Sequence, residues 1–224
     1  MSMLAESMAW REGDNICFVT YEYPSVVAPF VTRRNPMVEV RLADACSLEE
    51  MAAHSDERTR LIAVSHVSYL SGARAGYLPT HASVADFAFS ACYKWLLGTT
   101  GIAVAYWNSK RQPEWAPTTA GWYSIDAGPR PHYGGSLKLK GDALRFTRGN
   151  PAHAPLYVLA EALAYLKQFQ MSDVERHVQA MTVELLGGLR SLGIATITPE
   201  DPAQHGASVC IQTERAAAIV EDLY

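Results

Sequence analysis

Short apolar runs take turns along this chain with longer stretches whose apolar residues fall three and four apart. The first rhythm predicts strands and the second predicts helices. Asn15–Thr20, Val38–Leu42, Leu61–Val67, Phe87–Cys92 and Ile102–Trp107 read as strands, with Ile194–Ile197 and Ser208–Gln212 as two more near the end. Ser2–Trp10 reads as the last turns of a helix. Pro24–Arg34 reads as another, with its proline in the first turn, where a missing N–H does no harm. Ser47 is placed to cap a short helix reaching His54, with Glu50 three residues on as its capping-box partner. Pro151–Gln168 and Asp173–Leu192 carry helical periodicity, and the chain ends in a helix over Glu214–Tyr224. Ser71–Ser83 is loop, and Pro113–Arg145 is a long irregular stretch containing Trp115, Trp122 and Tyr123.

Strands that are apolar on both faces and alternate with helices predict an α/β fold, a mainly parallel sheet with helices on both faces. A break near residue 150 separates residues 1–150, the larger domain, from a small α+β C-terminal domain over 151–224. The chain has 224 residues, 49% of them apolar, enough for one sizeable core. Net charge is −4 with no basic block, so nothing favours nucleic acid or an anionic membrane surface. Four scattered cysteines without a C-x-x-C pair predict reduced thiols. Residues 1–15 carry acids and no long apolar run, and no segment approaches the ~18 apolar residues of a membrane span. A cytoplasmic protein is expected. Its isolated histidines predict no metal site.

Candidate chemistry gathers around one lysine. In Asp86-Phe-Ala-Phe-Ser-Ala-Cys-Tyr-Lys-Trp-Leu-Leu-Gly-Thr-Thr-Gly101 an apolar strand runs into Lys94, and a Gly-Thr-Thr-Gly loop leads into the next strand. An ammonium at the end of a buried strand loses hydration, which favours the neutral amine and makes it a nucleophile for carbonyls. Cys92, two residues earlier, reads as a small buried hydrophobe on the same face. His66, on an apolar strand, reads as a hydrogen-bonded core histidine.

This lysine region resembles that of the class V aminotransferase-fold enzymes, the fold-type-I pyridoxal-phosphate (PLP) proteins that include cysteine desulfurases, kynureninases and isopenicillin-N-epimerase-like enzymes. Four further segments resemble family motifs in the same order: Trp10-Arg-Glu-Gly-Asp14, Tyr21-Glu-Tyr-Pro-Ser25, Val64-Ser-His-Val-Ser-Tyr-Leu-Ser-Gly72 and Phe146-Thr-Arg-Gly-Asn-Pro151. The resemblance implies a PLP-dependent enzyme acting on a small amino acid, as a homodimer, by Cα deprotonation followed by elimination, epimerisation or desulfuration. Lys94 would be the Schiff-base partner and general base. Tyr93 would donate its hydroxyl to the cofactor phosphate, and Tyr23 would lie over the pyridine face. Ser68 and Tyr69 would stand near the phenolic oxygen. Thr99 and Thr100 would reach the phosphate across a dimer interface, and Trp122 would border the substrate.

The sequence also departs from the family pattern. Met1 falls inside the helix that follows the family's phosphate loop, and the C-terminal segment that usually supplies a carboxylate-binding arginine would lie past Tyr224. Between about Arg74 and Gly76 the chain passes over the strand whose Asp keeps the pyridine nitrogen protonated. Asp86 cannot replace it, being eight residues before Lys94 and roughly 26 Å away along one strand. His81 and Arg74 lie in the shortened loop. A second reading follows, in which the chain is a non-catalytic pruned scaffold or dimerisation module, or a fragment, that has lost PLP chemistry.

Overall fold

The computed structural model describes residues 1–32, 38–44, 48–75, 85–126 and 136–223. They form two compact units, Met1–Ala9 with Pro79–Phe169, and Trp10–Leu78 with Gln170–Tyr224.

The second of these units holds a three-stranded parallel sheet in the order β2-β1-β3, made of β1 (Asn15–Val19), β2 (Glu39–Ala43) and β3 (Thr59–Ala63). Central β1 is buried along nearly its whole length, and Ile16, Cys17 and Phe18 form the middle of the core. Flanking β3 alternates between half-buried and exposed positions, as a strand with one covered face does. Helix α2 (Pro24–Val31), entered through Pro24, sets Phe30 against Phe18 and Trp10. Helix α3 (Leu48–Ala53) lays Met51 beside Cys17 and Ala43. Ser47 of the expected capping box lies outside the described residues.

Two polar positions tie the bottom of this sheet. Asn15 is fully buried, donating to Asp56 at 2.8 Å and accepting from the Thr59 hydroxyl at 2.6 Å. Asp56 also accepts from Arg41 at 2.8 Å, and hydrogen bonds from Asn15 and Arg41 hold its carboxyl down at about 2.

The strand expected over Leu61–Val67 is shorter than its apolar run. Beyond Val64 the Ser65 amide leaves the ladder and donates to the Glu22 carboxylate at 2.7 Å, which ends β3. The two strands expected near the C-terminus are also corrected. Only the Thr196–Ile211 bridge forms, because the Thr198 hydroxyl takes the Cys210 amide at 2.8 Å that would continue the ladder. Helix α5 (Met171–Ser191) stops at Gly193, whose φ of 71° lets the Ile194 amide reach back to the Leu189 carbonyl. Helix α6 (Ala216–Leu223) closes the unit.

The other unit contains α1 (Ser2–Ser7), an antiparallel pair of β4 (Phe87–Ala91) with β5 (Ala103–Trp107), and helix α4 (His153–Leu166). Phe87, Trp107, Trp115 and Phe146 make an aromatic cluster with three edge-to-face pairs and one tilted pair, Trp115 with Phe146, and the Arg145 guanidinium lies 5.1 Å from the Trp107 ring centroid. Burial departs from expectation here. Most of β4 and β5 is exposed, including Phe89 and Val104, although their sequences are apolar on both faces. No helix among the described residues is long and apolar enough to cross a membrane.

Candidate active site

Lys94 stands just past the carboxyl end of β4, in a turn closed by the Gly98 amide on the Cys92 carbonyl at 2.7 Å and the Leu97 amide on the Lys94 carbonyl at 3.1 Å. A Cβ on Gly98 would lie 3.0 Å from the Cys92 Cβ, so the turn is tight enough to favour glycine. Leu97 sits at φ 55°, a left-handed conformation that a side chain adopts at a cost. The turn buries Cys92 completely and leaves Tyr93, Lys94 and Trp95 exposed. Cys92 and Lys94 therefore do not share a face, and the burial that the sequence suggested for Lys94 is not there. The Lys94 ammonium lies 5.9 Å from the centroid of the Tyr93 ring. Thr99 and Thr100 are exposed in the loop that follows, where Gly101 turns the chain at φ 83°.

Trp122 projects from a turn in the same unit. The Ser124 hydroxyl closes this turn, accepting from the Gly121 amide at 2.6 Å and donating to the Gly121 carbonyl at 2.8 Å. A Cβ on Gly121 would come within 1.8 Å of the Arg148 carbonyl, and the Tyr123 hydroxyl donates to Asn150 at 2.9 Å. The Phe146–Pro151 segment therefore braces the Trp122 turn.

Tyr23, Ser68 and Tyr69 belong to the parallel-sheet unit. Tyr23 follows β1 and Tyr69 follows β3, so both lie beyond the carboxyl ends of adjacent parallel strands, the usual ligand side of an α/β sheet. Their rings meet edge to face with centroids 5.3 Å apart. The Ser68 hydroxyl accepts from the Leu70 and Ser71 amides, each at 3.3 Å, and so helps shape its own turn. That turn is braced from far along the chain: the Arg74 amide donates to the Gln204 carbonyl, the Gly206 amide to the Gly72 carbonyl, and a Cβ on Gly72 would sit 2.0 Å from the Ser208 carbonyl.

Among the other candidates, Asp86 precedes β4 while Lys94 follows it. Burial raises the Asp86 carboxyl, and bonds from Arg111 at 2.9 Å and Gln112 at 3.0 Å outweigh that and hold it below its ordinary range. Arg74 pairs with Glu175 at 2.7 Å. His66 lies past the end of β3 and is exposed, so it is not the core histidine expected; desolvation and then Arg74 lower its imidazole, and Glu175 pulls it back up. Burial pushes the Cys17 thiol up. His81 and Cys46 lie outside the described residues. Among the described residues, no group of three or more His, Cys, Asp or Glu is placed to hold a metal ion.

A family model described as Aminotransferase class-V matches residues 75–221. The chain belongs to the class-V aminotransferase family. A curated relative within reach is the uncharacterized aminotransferase YcbU of Bacillus subtilis, 22% identical over 96% of this chain and 64% of that protein. The apo cysteine desulfurase of Thermococcus onnurineus NA1 superposes with a TM-score of 0.81 at 21% identity, over 99% of this chain and 64% of that one. A mutant of the enzyme C-DES, with glycine covalently linked to its PLP cofactor, superposes with a TM-score of 0.82 at 21% identity, over 99% and 68%. The α/β fold is thus that of the PLP-dependent transferases. The chain spans 56% and 64% of the length of the two curated relatives that it matches nearly end to end. The place where the class-V pattern expects an Asp-bearing strand leads into residues 76–84, outside the described residues.

The sequence did not single out Glu22, which lies inside the quoted Tyr21–Ser25 segment. A lone carboxylate between two aromatic residues just after a buried strand was the available signal.

Proposed function

We propose that this chain carries the lysine-bearing part of a PLP-dependent enzyme acting on a small amino acid, by deprotonation at Cα followed by elimination, epimerisation or desulfuration. The observation that carries this reading is the exposed primary amine of Lys94 at the carboxyl end of β4, in a strained glycine-closed turn beside a tyrosine ring.

Each unit, taken by itself, offers side chains that suit part of the group. Lys94 offers an amine for the cofactor aldehyde, and Tyr93, Thr99 and Thr100 offer hydroxyls for the phosphate. Tyr23 offers an aromatic face for the pyridine, with Ser68 and Tyr69 hydroxyls for the phenolic oxygen. Bound PLP supplies an electron sink for charge developing at the substrate's Cα. The protein's part is to hold and to move a proton. Lys94 takes the proton from Cα and returns it or passes it on, and Trp122 borders the amino acid. Residues 1–150 correspond in this reading to the large domain and 151–224 to the small one. A second copy of the chain would bring Thr99 and Thr100 to the neighbouring site. The T. onnurineus structure is of a desulfurase, which makes scission at a C–S bond one candidate outcome. Cys17 and Cys92 are buried, so neither suits the mobile sulfur acceptor that a desulfurase needs.

A non-catalytic scaffold or dimerisation module is the second reading, favoured by the exposed apolar faces of β4 and β5. One experiment separates the two. Purified protein is titrated with PLP and followed by visible absorption before and after borohydride reduction, beside K94A, with peptide mapping of the reduced sample. A band that reduction fixes on Lys94, and that K94A lacks, is expected. Absence of the band from a protein with a normal melt would sink the enzyme reading.

A further inference from the structure

A carboxylate in the loop between β1 and α2 reaches across to the chain just past β3. The Glu22 amide donates to the Val19 carbonyl at 3.0 Å as the chain turns off β1. Tyr21 is in the left-handed region at φ 64°, a conformation that an aromatic residue keeps only when its surroundings enforce it. Both Glu22 oxygens are then engaged. One accepts from the Tyr23 amide at 2.6 Å and from the Ser65 hydroxyl at 2.5 Å, and the other accepts from the Ser65 amide at 2.7 Å. Hydrogen bonds to a charged acceptor are the stronger kind. These bonds tie the residue that carries Tyr23 to the end of β3, and four residues past Ser65 the chain carries Tyr69, the ring that Tyr23 meets.

We infer that Glu22 is a positioning residue, whose carboxylate spans the ends of β1 and β3 and sets the Tyr23 ring against Tyr69 as the aromatic wall of the cofactor site. The placement of the two rings stands on geometry alone. Their use as a cofactor wall rests on the PLP reading above.

The residue types suit the task. A carboxylate offers only acceptors, and all three groups facing it are donors. A glutamine would turn an NH2 group toward one of those donors. An aspartate, one methylene shorter, would not span to Ser65. The clamp also marks the end of β3, four residues before Tyr69.

The test uses the full chain as parent, E22Q, E22A and the milder S65A, first without PLP. E22A is expected to speed hydrogen exchange at both the Ser65 and the Tyr23 amide by about tenfold or more, because their acceptor is gone, and E22Q to do so at whichever of the two amides then faces the NH2 group. They are also expected to diminish the near-ultraviolet circular dichroism of the tyrosine pair, with S65A changing both signals less and in the same direction. Exchange rates and dichroism unchanged in E22Q would overturn the inference. S65A keeps the test decisive should E22A not fold. With PLP, E22Q is expected to weaken cofactor binding about tenfold, and Y23A added to E22Q to cost little more, since the two act through one ring. Losses that simply add would overturn the positioning role. If the parent itself shows no PLP-dependent band, the functional reading falls, and the exchange and dichroism results still decide whether Glu22 positions Tyr23.

Discussion

The turn that carries Lys94 and the turn that carries Ser68 and Tyr69 both follow a strand, and they differ in what braces them. The Lys94 turn is local. Its closing bonds join residues three to six apart, and Gly101 in the loop beyond it has open space where a Cβ would go. The Ser68–Gly72 turn is closed locally too, by the Gly72 amide on the Ser68 carbonyl at 2.9 Å, and it carries long-range braces besides. It leans on Gln204, Gly206 and Ser208, more than a hundred residues away, and Glu22 clamps the strand that leads into it. A local turn can present a reactive amine without much else being in place. A turn with long-range braces is fully held only once distant segments have come together.

Substitutions can test that contrast, taken here from the largest expected effect to the smallest. Gly72→Ala must fit a Cβ into backbone at 2.0 Å and hold φ 69°, so it is expected to cost about 3 kcal/mol or more, read as a lower urea midpoint. Thr198→Val removes the acceptor of the Cys210 amide and is expected to cost about 1–2 kcal/mol in the same measurement. Gly101→Ala meets no atom and bears only its left-handed φ of 83°, a cost of about 1 kcal/mol. If Gly101→Ala proved as damaging as Gly72→Ala, the distinction between an open and a braced turn would be wrong.

The smallest effect is electrostatic. Desolvation and Arg74 lower the His66 imidazole from its ordinary 6.5, so the folded chain prefers the neutral ring more strongly than the unfolded chain does. The stability tied to that preference is fully present above pH 6.5 and is lost as pH falls through the lower folded value. Arg74→Ala should raise the His66 titration, and Glu175→Gln should lower it further, both followed by the ring proton shifts. Movement in the opposite sense would show that another charge governs His66.

What could be read from the sequence follows the same division between local and distant. The strand–lysine–glycine order around Lys94 was legible because its bonds are short-range. The clamp between Glu22 and Ser65 was not, since no periodicity links residues 43 apart. The same limit explains the two missing C-terminal strands. Ile194–Ile197 and Ser208–Gln212 have strand-like composition, but one Thr198 hydroxyl reaching a distant amide ends the pairing. Burial was the least legible property. An apolar strand such as β4 shows what the chain could cover, and nothing in its own residues says whether anything covers it.

The aromatic cluster around Trp107 gives the molecule an optical asymmetry. Of its five tryptophans, Trp95, Trp107, Trp115 and Trp122 lie in the unit that carries Lys94, and Trp10 alone lies in the parallel-sheet unit. Intrinsic emission therefore weighs one unit about four to one over the other, with the Trp107–Trp115 contact at 5.9 Å close enough for energy to pass between the rings. A Trp10→Phe variant would make the chain's fluorescence a private reporter of the lysine-bearing unit. Far-ultraviolet dichroism would still follow the helices of both units, so any lag between the two signals would show the units letting go separately.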